Sequence, residues 1–252
     1  MTRKHLAAFT AIFLGLIAVA CAFHKTFLLA ALLVALFVLI GLGVAIPQMR
    51  LFGNFICSGN RKKKQVALTF DDGPDPRSTP QLLDLLRAER VPAAFFCIGK
   101  HVEKNPELTA RILREGHLVE NHSFAHSNFT NFYGRTRLTS ELRQAQAAIE
   151  KATGRAPQFF RPPVGLSNPN TFRVAQDLKL EVIGWNIRSL DTVIAESEKI
   201  VARIRRGLQP GAIILLHDGN IPVEKLLTTV KSLLDELRRL GYEVVRLDEL
   251  LK

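Results

Sequence analysis

From Val66 onward the chain alternates short apolar runs with amphipathic stretches, and no other feature narrows its fold as much. Period-2 and wholly apolar runs predict strands over 66–70, 93–98, 118–120, 158–160, 180–185, 212–216 and 243–247. Between them, helices are predicted over 79–90, 106–114, 140–152, 169–178, 195–206 and 222–240. Pro80, Pro106, Pro169 and Pro222 stand at helix fronts, and Gly116, Gly154, Gly207 and Gly241 stand behind helix ends. Strands that alternate with helices at this spacing pair in parallel with the helices outside, as an open sheet or a barrel.

The polar clusters follow this pattern. Asp71, Asp72, His122, Arg161 and His217 each fall within two residues of a predicted strand end. In a βα barrel those ends share one face, where active sites are built. The run Thr69-Phe70-Asp71-Asp72-Gly73-Pro74 sets two carboxylates side by side at a turn. Adjacent carboxylates repel, which divides their tasks between holding a cation and acting as a base, although Asp before Gly-Pro is also ordinary turn chemistry. His122 and His126 are spaced i, i+4, which places both on one face of a helical turn, a spacing that also arises by chance. Two histidines and one carboxylate suit Zn²⁺, Co²⁺ or another first-row divalent ion with coordination positions left open. Arg161 follows an apolar strand and precedes Pro162-Pro163, where it is able to orient a carboxylate. His217 ends the apolar run 212–216 and is positioned to donate a proton to a leaving group.

In this order, the four clusters resemble those of the NodB-homology polysaccharide deacetylases, the fourth family of carbohydrate esterases, from about Val66 to Leu250. The resemblance implies an α/β fold, a distorted (β/α) barrel of about seven parallel strands, and one divalent metal ion. It also implies roles: Asp72, His122 and His126 as metal ligands, Asp71 as general base, Arg161 as the arginine that orients it, and His217 as general acid. It places the main-chain amide of Val164 at the developing oxyanion, with Leu215 and Trp185 lining the substrate pocket. Two departures stand out. Val164 occupies a position that is often aromatic in the family, so that sugar platform is missing. In the fourth motif Arg188 and Thr192 replace the usual Asp and Trp, while Asp191 is retained and serves either Arg161 or His217.

The expected reaction is removal of N-acetyl groups from amino sugars of a cell-envelope polysaccharide or its lipid-linked precursor. The rival readings are a deformylase or amidase on a lipid-linked or non-sugar substrate, and a non-catalytic glycan-binding protein.

Ahead of the βα part, residues 6–23 and 26–46 are free of acidic and basic side chains apart from the break at His24-Lys25. They predict two transmembrane helices, a membrane hairpin over 1–47, then a basic linker over 48–64 and the catalytic domain over 65–252. A basic start and small residues around Cys21 also allow the first run to be a cleaved signal. Residues 1–64 hold eight Lys and Arg and no acid, so of the net charge of +11 only +3 belongs to the rest. The basicity therefore flanks the apolar runs, and a nucleic-acid partner, which needs a basic face on the folded part, is not expected. Lysine and arginine on both flanks predict a multi-pass inner-membrane protein with a cytoplasmic catalytic domain, leaving the other side open, and membrane lipid as a partner.

Overall fold

The computed structural model describes residues 3–22, 26–46, 49–166 and 168–252. Helices α1 (Arg3–Ala22) and α2 (Thr26–Ala45) lead into β1 (Gln65–Asp71), α3 (Thr79–Glu89), β2 (Ala94–Cys97), α4 (Gly99–Lys104), α5 (Pro106–Arg114) and β3 (Leu118–Asn121). There follow α6 (Arg135–Thr153), β4 (Phe159–Phe160), α7 (Pro169–Asp177), β5 (Glu181–Val182), β6 (Ile187–Arg188), α8 (Ser197–Gly207), β7 (Ala212–His217), α9 (Val223–Arg239), β8 (Glu243–Val244) and α10 (Leu247–Leu250).

The strands form one sheet in the order β5-β4-β3-β2-β1-β7-β6, with β8 paired to the start of β1, and every pairing is parallel. The parallel pairing expected from the βα alternation is present, and the sheet curls into a half-barrel. Alternation along each strand sorts the side chains onto two faces. Val66, Leu68, Phe70, Phe95, Cys97, Val119, Ile214 and Leu216 pack outward under the helices, where Leu82, Leu86, Ile200, Ile204, Val230 and Leu234 cover them. Ala67, Ala94, Phe96, Leu118 and Ile213 fill the concave side. Each fully buried Leu, Ile or Phe contributes about 1.5–3 kcal/mol. Register places Asp71 beside His217 and Thr69 beside Leu215, on that same concave side.

Two strand predictions change. The run 180–185 does not form one strand: β5 stops at Val182, and the chain turns through Gly184-Trp185 before β6. The run 243–247 is cut short because Leu247 begins α10. Helix α4 was not anticipated. Segment 53–60 joins the fold: Phe55 and Cys57 are buried, Ile56 bridges Ile183, and Ser58 bridges Ala212.

The membrane expectation is overturned. Among the described residues no helix is long and apolar enough to cross a membrane, so the two transmembrane helices and the multi-pass inner-membrane localisation are corrected. Helix α1 carries Arg3, Lys4 and His5 within its own first turns. Contact with membrane lipid through these helices loses its support for the same reason. The expected hairpin turn at His24-Lys25 lies outside the described residues.

Candidate active site

Because all seven strands of the main path run in parallel, their carboxyl ends open on one side, and the polar side chains singled out in the sequence meet there. Asp71 ends β1 and Asp72 follows it. Asp72 has a left-handed backbone, φ 74°, as do Ser123 (63°), His126 (50°) and Val164 (60°). Such conformations cost about 1–3 kcal/mol each in residues other than glycine and persist only where surrounding structure imposes them.

Asp72 Oδ1 lies 3.5 Å from His122 Nε2 and 3.2 Å from His126 Nε2, and the donor atoms of the three residues all lie within 4.8 Å of one another. His122 Nδ1 sits 2.7 Å from the Arg161 carbonyl. A carbonyl only accepts, so Nδ1 carries the proton, and Nε2 is the nitrogen that faces Asp72. Asp72 Oδ1 is buried and has no hydrogen-bond partner. Burial alone would raise the Asp72 carboxyl, yet the neighbouring His122, His126 and His217 hold it down at about 2. An orphaned anionic oxygen facing two imidazole nitrogens is a donor set that fits a divalent cation, and the backbone bond on His122 is the support that histidine ligands ordinarily receive.

Arg161 is wholly buried. Its Nη1 donates to Asp71 Oδ1 at 2.7 Å and to Thr69 Oγ1 at 2.8 Å, and its Nη2 donates to the Gly184 carbonyl at 3.0 Å. Phe96 stacks beneath it at 4.1 Å and Trp185 lies at 5.7 Å. The guanidinium thereby fixes Asp71 Oδ1 and leaves Oδ2 directed to the site, 3.7 Å from His122 Nε2.

Across the mouth, Asp191 Oδ1 lies 2.8 Å from His217 Nδ1 and Asp191 Oδ2 accepts from the His217 backbone N–H at 2.8 Å. Of the two partners open to Asp191 in the sequence, the geometry selects His217, since Arg161 is committed to Asp71. Burial works to lower the His217 imidazole, but the bond and charge of Asp191, with the fields of Asp71 and Asp72, outweigh it and raise the group to about 9.

Leu215 is buried beside Thr69. Val164 is half exposed on the 3-10 turn Pro163–Gly165, and its N–H takes no hydrogen bond among the described residues. Trp185 lies against Gly165, whose φ is +70° and where an added Cβ would come within 2.1 Å of the indole. This turn therefore requires glycine.

One contributor, His101, escaped the sequence reading. His101 on α4 places Nδ1 2.9 Å from the Asp72 carbonyl and so donates to the strained residue itself. It stands four residues past the end of β2, and a wider search around strand ends would have found it. Asp218 is buried under Gly73, where a Cβ would meet its carboxylate at 2.3 Å, and Thr79 Oγ1 donates to it at 2.5 Å. It borders His217 in sequence but bonds elsewhere.

A parallel half-barrel that ends in a donor set fitting a cation, an oriented carboxylate and a carboxylate-supported imidazole is an arrangement suited to a hydrolase. The family model for polysaccharide deacetylase matches residues 58–183. A peptidoglycan-N-acetylglucosamine deacetylase of Bacillus cereus is 35% identical over 192 residues, covering 75% of this chain and 89% of the relative. A chitooligosaccharide deacetylase of Bradyrhizobium is 34% identical over 199 residues, covering 74% and 90%. Among solved structures, a pseudoenzyme of carbohydrate esterase family 4 from Bacillus anthracis superposes with a TM-score of 0.73 at 28% identity, covering 79% of this chain and 69% of that one. The chain belongs to the NodB-homology polysaccharide deacetylases, hydrolases that act on carbon–nitrogen bonds other than peptide bonds.

Proposed function

We propose that this chain removes N-acetyl groups from N-acetylglucosamine units of a cell-envelope or chitin-like polysaccharide, with one divalent cation, Zn²⁺ or another first-row ion, held by Asp72, His122 and His126. The observation that carries the reading is the buried, partnerless Asp72 Oδ1 between two imidazole nitrogens. When bound, such an ion lowers the pKa of water and polarises an acyl carbonyl. Asp71 is the general base: Arg161 occupies Oδ1, so Oδ2 accepts the proton of the attacking water. His217 is the general acid. Asp191 holds Nδ1, which directs Nε2 as the donor to the departing amine nitrogen. The unpaired N–H of Val164 supplies a donor to the oxyanion, Leu215 lines the acetyl pocket, and Trp185 backs the guanidinium. Residues 65–252 with the docked segment 53–60 form the catalytic unit. The relatives named for peptidoglycan and chitooligosaccharide deacetylation support an amino-sugar polymer. The lipid-linked precursor loses the support that a membrane tether would give it.

The test uses the full chain: metal content, and acetate released from N-acetylglucosamine oligomers, beside Asp71→Asn. One metal per chain is expected in both proteins, with acetate release about 10²–10⁴-fold lower in the variant. A protein that takes up no divalent ion sinks the donor-set assignment, and metal uptake without acetate sinks the substrate.

A further inference from the structure

Beyond residue 50, the large hydrophobic side chains that stand exposed among the described residues are four: Phe129 (69%), Phe132 (80%), Val164 (50%) and Val193 (75%). All four lie on connections that leave the carboxyl ends of strands, the side on which the site opens. Phe129 and Phe132 follow β3 and His126, Val164 follows β4 and Arg161, and Val193 follows β6 and Asp191. No other face of the catalytic part exposes such side chains among the described residues, so the pattern is not a scatter of ordinary surface apolar groups.

The two phenylalanines are held out by a built turn. Phe129 caps and Phe132 ends the 3-10 turn Thr130–Phe132, and side chains three apart in such a helix eclipse on one side. Phe132 N donates to Phe129 O at 2.9 Å, Thr130 Oγ1 to Ser127 O at 2.6 Å, and Phe129 N to Ser127 Oγ at 3.2 Å. Asn168 Nδ2 bonds the Asn131 carbonyl and ties this turn to the chain that carries Val164. Behind it Tyr133 is buried, with the Arg137 guanidinium 3.8 Å over its ring.

We propose that Phe129 and Phe132 on one flank, and Val193 on the other, form a collar that stacks on the pyranose units flanking the one being deacetylated. The proposal rests on the deacetylase reading. Aminoglucose rings joined through equatorial bonds present flat C–H faces, which match aromatic faces and uncharged methyl groups, and the collar bears no charge to favour an ionic partner. The enzyme therefore prefers oligomers long enough to reach the collar.

The experiment measures kcat and KM for acetate release by the metal-loaded full chain on N-acetylglucosamine oligomers of two to six units, for wild type, F129A/F132A and F129Y/F132Y. Thermal midpoints and calorimetric binding of the pentamer in an Asp71→Asn background accompany the rates. Wild-type kcat/KM is expected to rise with length. The alanine pair should lose on the order of tenfold on the pentamer, from about 60 Å² of ring face no longer covered by sugar, chiefly in KM. It should keep the dimer rate and its thermal midpoint, and the tyrosine pair should restore the preference. Retained length preference in the alanine pair, or equal loss at every length with an unchanged midpoint, overturns the collar while the deacetylase reading stands. A wild-type enzyme without length preference does the same. If wild type releases no acetate from any oligomer, the deacetylase reading fails and the collar fails with it. Should the alanine pair be unfolded, Phe132→Ser read by pentamer binding decides, and unchanged affinity overturns the proposal.

Discussion

In its proposed role as general acid, His217 must carry a proton to serve a leaving amine, and its neighbours decide over what range it does. With Asp191 at Nδ1 the imidazole titrates at about 9, so deacetylation is expected to fall as pH rises through that region. Asp191→Asn removes the charge that raises the group, and the alkaline limb of the kcat/KM profile should move to lower pH by on the order of one unit or more. A bound cation lowers the limb in both proteins alike, so the difference between the two profiles is the readout, and coincident limbs would reject the pairing. His101 acts on the other half of the site. Its bond to the Asp72 carbonyl restrains a left-handed aspartate. His101→Ala should weaken Zn²⁺ binding by about 10–100-fold in a calorimetric titration, with the Asp71–Arg161 pair intact. Equal affinity in the two proteins would leave His101 without a role in the site.

The loops that leave the strand ends divide the labour. The β1 turn brings Asp72, the β3 connection brings both histidines, β4 delivers Arg161, and β7 delivers His217. Between β5 and β6 the chain breaks its strand at Gly184-Trp185, which frees the Gly184 carbonyl to accept from Arg161. The break fits the sequence of 180–185 poorly, because an apolar run reads as a strand whether or not a buried cation needs one of its carbonyls. The turn at Val164 depends on Gly165 in the same way. Gly165→Ala should cost at least about 1 kcal/mol, or about 2–4 °C in Tm, and displace Trp185. Trp185 is the sole tryptophan of the chain, so its emission should shift to the red. Unchanged emission and Tm would show that the turn accommodates a side chain.

For the molecule as a whole, two buried carboxyls outside the proposed acid–base pair set how stability responds to pH. Burial raises Glu120 to about 8, against the backbone N–H groups of Phe159 and Gln158, which donate to it at 2.7 and 2.8 Å. Burial likewise raises Asp218 to about 7. Both are protonated in the fold where the unfolded chain has already lost its proton, so the unfolded state binds fewer protons between about 4.5 and about 8. Stability therefore falls as pH rises across that window. Measured in chelator to keep cation uptake out of the signal, Tm should decline with pH, and Glu120→Gln should flatten the decline, leaving the parts due to Asp218 below about 7 and to His217 above about 6.5. A wild-type Tm that rises across the window would show that these carboxyls are ionised in the fold.

The amino-acid sequence by itself determined the parallel βα architecture, because apolar periodicity and proline and glycine punctuation are local properties. It also determined the types of residue gathered at the strand ends, since a short motif at a strand terminus moves little relative to its strand. Only the tertiary structure decided which charges pair. Asp191 goes to His217 because β6 lies beside β7, and Arg161 is consumed by Asp71, Thr69 and Gly184. His101 became visible only in the fold, and so did the partner of Asp218, because these contacts run to a backbone carbonyl and a threonine hydroxyl distant in sequence. The membrane reading drawn from apolar run length is likewise overruled, since among the described residues no helix is long and apolar enough to cross a membrane. Pairing depends on which strands become neighbours, and that is settled by packing the whole sheet at once.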